Sequence, residues 1–322
     1  MSTKNIVILS TLAVVLVVFG VLVALYGFAE DPEMFDDETI QGDKAVGSEF
    51  IYTVDVNGDA VDVTVSIVGE SGSYYLLDVT ELAALLDDEA GLQAFIMIHK
   101  ETGELRFGEE GDERTFDFEE EELTLLEWSV LGEEGAAWLI ASCEDDGIPY
   151  ILEFSFGDET ITAKLIEINI VEPEGEFERS EALDEYYFFD FEGSMDGREG
   201  SGIVYYHVVA DCGVLGWAFV EISEGTFIDD DGNEYEEITV GYVVYDMTLL
   251  EFLTNVFTGG LPAVGTEEIS TIDGDITCNT YTQVLGPFEI NTWIGENGVI
   301  YKSGLATGEY TIILNEYSLP AE

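Results

Sequence analysis

Basic residues are what this sequence has least of. Nine Lys and Arg stand against 69 Asp and Glu in 322 residues, a formal net charge of −60. A chain so short of cations cannot neutralise a phosphate backbone, so nucleic-acid binding is excluded and docking on anionic headgroups is disfavoured. Histidine is nearly absent as well, with only His99 and His207. Both lie in apolar, strand-like stretches and read as packed side chains. No Gly-x-Ser-x-Gly elbow accompanies them, and no Cys-x-x-Cys or His-x-x-x-His spacing suggests zinc. Asp229-Asp-Asp-Gly-Asn-Glu234 is rich in oxygen ligands, but Phe227 stands where a calcium loop needs its first carboxylate, so a hairpin turn is the better reading. Gly42-Asp-Lys-Ala-Val-Gly47-Ser48 lacks the Gly-Lys of a phosphate loop. No catalytic residue, metal ligand or cofactor is therefore assigned. The three cysteines allow one disulfide at most. Cys212 and Cys278 share the C-terminal part of the chain and are the favoured pair, three buried thiols being the alternative.

Apolar residues are not scarce. They make up 47% of the chain and aromatics 12%, which excludes a disordered acidic tail. Ile6 to Phe28 carries no charge over 23 residues. As a helix it spans about 34 Å, at 1.5 Å per residue, enough for a hydrocarbon core of ~30 Å. Lys4 precedes it, and all 69 acidic residues follow it. The expectation is a single-pass anchor with a cytoplasmic N-terminus and an extracytoplasmic body. A signal peptide cut after Ala29 is the competing reading, although its apolar region would be longer than the usual ~7–15 residues.

Beyond the anchor the chain reads as mainly β (α+β). Phe50 to Ile67 alternates apolar and polar residues on both sides of Asn57-Gly58, a dipeptide suited to a type I′ turn. That turn pairs Phe50 with Val65, Tyr52 with Val63 and Val54 with Val61, all on one face. Further hairpins are expected around Gly103, Asp231-Gly232 and Asn297-Gly298, and short helices over 80–88 and 247–257. Gly47-Ser48 with Ile51-Tyr52 matches Gly200-Ser201 with Val204-Tyr205, a repeat at an offset of 153. The resulting organisation is an anchor (1–29), an acidic stalk (30–46), a β-rich domain (47–173), an acidic linker that lays one strand against a domain (174–199), and a second β-rich domain (200–322).

Antiparallel hairpins with a short helix in each unit resemble the half-barrels of lipoprotein-carrier (LolA-like) proteins. The tail Gly274-Asp-Ile-Thr-Cys-Asn-Thr-Tyr281 with Trp293-Ile-Gly-Glu-Asn-Gly-Val-Ile-Tyr301 is similar to tails of anchored archaeal surface proteins. The resemblance implies two tandem half-barrels, each a curved sheet able to hold an apolar ligand. The chain departs from the carriers in its retained anchor and its second copy. Tyr52, Tyr205 and Trp293 are the aromatics expected to line such concave faces.

Acids concentrate at outward strand positions and turns, such as Asp55, Asp62 and Glu119 to Glu122. Their mutual repulsion is relieved by salt or bound cations, so a salt-adapted setting is expected. The melting temperature should then rise with NaCl or CaCl₂, and a flat response in both would reject the idea. The reading favoured is a non-enzymatic, membrane-anchored protein that binds an apolar ligand or an envelope partner. An adhesive envelope component bridged by cations is the first alternative, and a hydrolase using surface carboxylates the second.

Overall fold

The computed structural model describes residue 40 and residues 42–56, 59–86, 94–119, 121–131, 136–143, 146–156, 159–173, 180–195, 198–228, 234–285 and 288–319. The expected anchor, most of the stalk and the 229–233 turn lie outside the described residues. No described helix is long and apolar enough to cross a membrane.

The protein is mainly β. Its strands are β1 (Glu49–Val56), β2 (Asp59–Glu70), β3 (Tyr74–Asp78), β4 (Phe95–His99), β5 (Glu109–Phe118), β6 (Glu121–Leu131), β7 (Ala136–Cys143), β8 (Ile148–Phe156), β9 (Glu159–Asn169), β10 (Tyr186–Met195), β11 (Arg198–Asp211), β12 (Trp217–Ile228), β13 (Glu234–Tyr245), β14 (Gly265–Thr271), β15 (Gly274–Leu285), β16 (Phe288–Gly295), β17 (Ile300–Leu305) and β18 (Tyr310–Ser318). Among the described residues two α-helices accompany them, α1 (Thr80–Ala83) and α2 (Leu249–Thr258). Every strand pair is antiparallel. One ladder runs β4-β3-β2-β1-β9-β8-β7-β6-β5. The other runs β13-β12-β11-β10-β18-β17-β16-β15-β14. In both, the chain starts in the middle, walks to one edge, crosses to the other and returns beside its first strand. The pair Glu70–Asp211 joins β2 to β11 and makes one large sheet of the two.

Local sequence explains the register. Phe50, Tyr52 and Val54 are buried on β1, opposite Val65, Val63 and Val61, as the Asn57-Gly58 turn demands. Asp55 and Asp62 point to solvent, so neither pays a desolvation cost. α2 is bounded by local chemistry. Thr248 and Glu251 form a reciprocal capping box, and Gly259 closes the last turn at φ 60°. The helix buries Leu249, Phe252 and Leu253, worth roughly 1.5–3 kcal/mol each.

The two ladders match in detail. Bulges interrupt β1–β9 at Ile51/Tyr52 and β10–β18 at Phe188/Phe189. They recur in β2–β3 at Ile67/Gly69 and in β11–β12 at Val208/Ala210. They recur again in β7–β8 at Ala141/Ser142 and in β16–β17 at Trp293/Ile294. A bulge pins register, so these irregularities align the ranks. Tyr52 stands where Phe189 stands, Ile67 where Val208 stands, and Glu70 where Asp211 stands. The two residues that join the ladders are thus of one rank.

Each ladder has its own core. Phe50, Tyr52, Ile67, Leu82 and Leu165 belong to the first, and Tyr187, Phe189, Val208, Leu253 and Leu314 to the second. A third cluster forms a seam between the opposite faces. Leu76, Phe95 and Met97 of β3 and β4 meet Val209, Ala218, Val220 and Val244 of β11 to β13 there.

Two sequence expectations are revised. Tyr186–Met195, placed in the acidic linker, is the central strand of the second ladder, because Tyr187, Phe189 and Phe191 alternate into its core. The offset-153 match sets β1 beside β11, two strands of different rank: Gly47-Ser48 precedes β1, whereas Gly200-Ser201 lies within β11.

Candidate functional site

The residues first expected to line a ligand face are dispersed. Tyr52 is fully buried in the first core, its hydroxyl donating to the Pro149 carbonyl at 2.5 Å. Trp293 packs against the second core, its indole N–H donating to Glu267 at 2.8 Å and Lys302 lying 5.0 Å over its ring. Tyr205 faces the seam, stacked on Tyr186 at 5.7 Å. Val204, Tyr206 and Val208 take the inward positions of β11, so alternation turns Tyr205 the other way. Tyr205 is therefore removed from the concave face. The Cys212–Cys278 bridge is corrected too. All three cysteines are free and buried. Cys212 belongs to the seam and Cys278 to the second core, so the sheet separates them. Burial pushes the Cys212 thiol up to about 12, with Asp211 adding to the shift, which makes it a poor nucleophile.

Neither histidine is set up for catalysis. Nε2 of His207 donates to the Leu183 carbonyl at 2.6 Å, so that nitrogen carries the proton. His99 sits at 5.4 Å edge-on to Tyr74, its Nδ1 near the Thr102 hydroxyl. Among the described residues no group of three or more His, Cys, Asp and Glu side chains could hold a metal ion.

Three of the scarce cations are buried, at one end of the first ladder. Lys100 pairs with Glu70 at 3.0 Å and donates to the Ile40 carbonyl at 3.1 Å. Lys44 donates to the Asp146 carbonyl at 2.8 Å, and Arg106 lies 4.6 Å over the Tyr74 ring. Two of them fasten the incoming segment at residues 40–44 to the sheet. The core phenols of this ladder are all engaged. Tyr75 donates to the Lys44 carbonyl at 2.8 Å and Tyr150 to Asp146 at 2.8 Å, besides Tyr52 on Pro149.

The second ladder differs at the matching end. Phe50 and Ile168 pair across β1 and β9, and Tyr187 and Tyr317 occupy the same ranks across β10 and β18. The Tyr187 and Tyr317 rings stack at 6.1 Å with 11° between planes. Tyr317 and Tyr301 both donate to Oδ2 of Asp273, at 2.9 and 2.6 Å. Asn297 donates to the Tyr301 hydroxyl at 3.0 Å. Glu185, just ahead of β10 and 3% exposed, accepts the Leu250 N–H of the first turn of α2 at 3.0 Å. Tyr187 is 0% exposed, and its hydroxyl makes no hydrogen bond among the described residues; the Trp128 indole N–H is the first ladder's counterpart.

Electrostatics ties these groups together. Burial, then Glu185, Tyr317 and Tyr301, raise the Tyr187 pKa well above that of a free phenol. Burial and the Asp273 bond raise that of Tyr301. All three phenols are thus neutral donors at ordinary pH. Burial also raises the Glu185 carboxyl, against the lowering effect of the Leu250 and Leu249 amides. Among the described residues no basic side chain pairs with Glu185 or Asp273. Glu185 and Tyr187 are buried, whereas Asp273 is exposed and gathers Tyr301 and Tyr317 at the surface end of the same group.

Sequence reasoning noted Tyr186 to Phe191 as a strand but gave it no chemistry. Glu185 and Asp273 were hidden among 69 acids. The signal that finds the cluster is the mismatch between ranks, which needs the register. Comparison with protein-family models, with curated proteins and with solved structures returns no match.

Proposed function

We propose that this chain is a membrane-anchored, extracytoplasmic and non-enzymatic binding protein. It consists of two tandem half-barrel domains descended from one duplicated unit, and the second domain carries the ligand site. The apolar run 6–28 supports the anchor, and the shared strand order with three matching bulges supports the duplication.

One observation carries the binding role. The first ladder satisfies the fold with Phe50 and Ile168 where the second places Tyr187 and Tyr317, beside Glu185 and Asp273. A buried hydroxyl without a partner costs about 1–3 kcal/mol. Its retention at a position where phenylalanine also serves argues for a partner that is not part of the fold.

Native mass spectrometry of the protein extracted with its own membrane lipids tests this. A stoichiometric bound mass on the wild type, lost in Tyr187→Phe, is the expected result. A bare protein in every preparation would overturn the reading.

A further inference from the structure

We propose that the β11–β12 hairpin tip, Gly213-Val214-Leu215-Gly216, dips into the lipid interface beside the point where the chain arrives from the bilayer, a reading that rests on the membrane anchor proposed above. Exposure argues first. Val214 is 98% exposed and Leu215 52%. Cys212 to Val220 carries no charged residue over nine positions, in a chain with 69 acids. Gly213 at φ 57° and Gly216 at φ 97° make the turn tight, so no polar side chain is needed to shape it. The turns at Asp273-Gly274 and Asn297-Gly298 set a polar residue beside glycine instead. A tip that holds two adjacent apolar side chains outward suits an apolar partner.

Position argues second, and it names the partner. Ile40 is the first described residue after the apolar run 6–28. Its N–H donates to the Gly72 carbonyl at 2.9 Å, and its carbonyl accepts from Lys100 at 3.1 Å. Lys100 pairs with Glu70, and Glu70 faces Asp211, three residues before Val214. Gly69 lies against Cys212 as well, where a Cβ would meet the thiol at 2.6 Å. The tip therefore stands beside the entry of the chain into the sheet. Residues 29–39, eleven in all, separate Ile40 from the apolar run. A segment of that length reaches no further than about 40 Å, at 3.3–3.6 Å per residue. The chain itself thus holds the bilayer at this end of the molecule. Charge argues third. Lys100 neutralises Glu70, and Lys44 pairs with Asp43 at 2.6 Å, so two acids at this end are matched while the whole chain sets 9 bases against 69 acids. That lowers the repulsion where the sheet approaches the headgroups.

Fluorescence of the full-length protein reconstituted into phosphatidylcholine vesicles tests the proposal. Val214→Cys places a reactive thiol at the tip. Val284→Cys places one near the end of β15, at the opposite end of the second ladder, where Val284 is 66% exposed. The three native cysteines are buried, so an environment-sensitive label enters selectively. The expected result is blue-shifted emission at position 214, quenched by spin-labelled lipid at least threefold more strongly than at position 284. Leu215→Asp in the Val214→Cys chain should at least halve that quenching. Circular dichroism melts establish that each variant is folded. Aqueous emission at position 214 would overturn the proposal. So would a blue shift that spin-labelled lipid does not quench, because a protein surface would then cover the tip. Flotation separates the two readings. A chain that floats with the vesicles yet keeps position 214 in water loses only this contact, and a chain that does not float loses the anchor and the contact together.

Discussion

The first ladder closes its inner face with Phe50, Val65 and Ile168, and the second sets Tyr187, Tyr206 and Tyr317 at the same three ranks. Strand order, core placement and three pairs of bulges are shared, while the β5–β6 bulge at Glu110/Glu113 has no counterpart in β14–β15. The first ladder thus acts as an internal control, showing which side chains this architecture requires. What it requires is apolar volume at those ranks. The Tyr187 and Tyr317 hydroxyls and the buried Glu185 are additions, whereas Tyr301 on Asp273 repeats Tyr150 on Asp146 at the same bulge. The helices differ as well: α1 lies in the β3–β4 connection, while α2 follows β13, the counterpart of β4, and brings its first turn to Glu185. Divergence is concentrated where α2 docks. The buried Tyr187 hydroxyl and the buried Glu185 carboxyl cost desolvation that Phe50 does not, which is the ground of the binding role proposed above.

The widest test of that comparison removes the shared part. Tyr52 and Phe189 share a rank and are both fully buried. Each substitution to Ala should cost about 3–5 kcal/mol in urea unfolding. A loss below about 1 kcal/mol at either position would break the equivalence. The seam gives an effect of similar size. Val209 is 2% exposed there, and Val209→Asp places an unpaired charge against Leu76 and Met97 at a cost of about 3–5 kcal/mol. One unfolding transition should then become two, read by tryptophan fluorescence and circular dichroism, because little besides the seam and the Glu70–Asp211 pair couples the ladders.

Smaller effects separate the phenols. Tyr187→Phe removes an unsatisfied hydroxyl and should raise stability by about 1–3 kcal/mol in ligand-free protein. Tyr150→Phe removes a donor bonded to Asp146 and should lower it by about 1.5–3 kcal/mol. Opposite signs from the same chemical change are the sharpest statement of the difference between the two ladders. Two losses of equal size would show that Tyr187 is an ordinary satisfied core residue.

The local pattern made the fold legible one hairpin at a time. Alternation and Asn57-Gly58 specified the pairs Phe50–Val65, Tyr52–Val63 and Val54–Val61 before any coordinates. The apolar pattern over 247–257 and the stop at Gly259-Gly260 placed α2 to within two residues of its bounds. Long-range order was not legible. β1 and β9 are separated by more than a hundred residues, and nothing local marks them as neighbours. The bulge at Val209 shifts a strand by one residue without any Gly or Pro to announce it. The Gly-Ser match set β1 against β11 and so carried Tyr205 onto the rank of Tyr52 and the wrong face. The site was illegible for a different reason: in a chain this acidic, Glu185 and Asp273 carry no signal until neighbours from β10, β17 and β18 surround them.

The pH dependence of folding yields the smallest effect and the most selective one. Glu185 has a folded-state pKa raised by burial above the carboxylate range of about 4.3. The native state therefore holds this proton to higher pH than the unfolded chain does. Stability falls with rising pH wherever the native state binds more protons. The contribution of Glu185 is thus fully present below the unfolded pKa and is lost as pH rises through the folded one. The general repulsion among 69 acids has the same sign, so the wild-type profile alone does not isolate it. Glu185→Gln does, because its amide oxygen can still accept the Leu250 N–H but cannot ionise. Its melting temperature should equal that of the wild type near pH 4 and exceed it increasingly toward neutrality. A constant offset between Glu185→Gln and wild type across the range would mean that the carboxyl titrates alike in both states, and the second ladder would then hold no electrostatic strain that the first lacks.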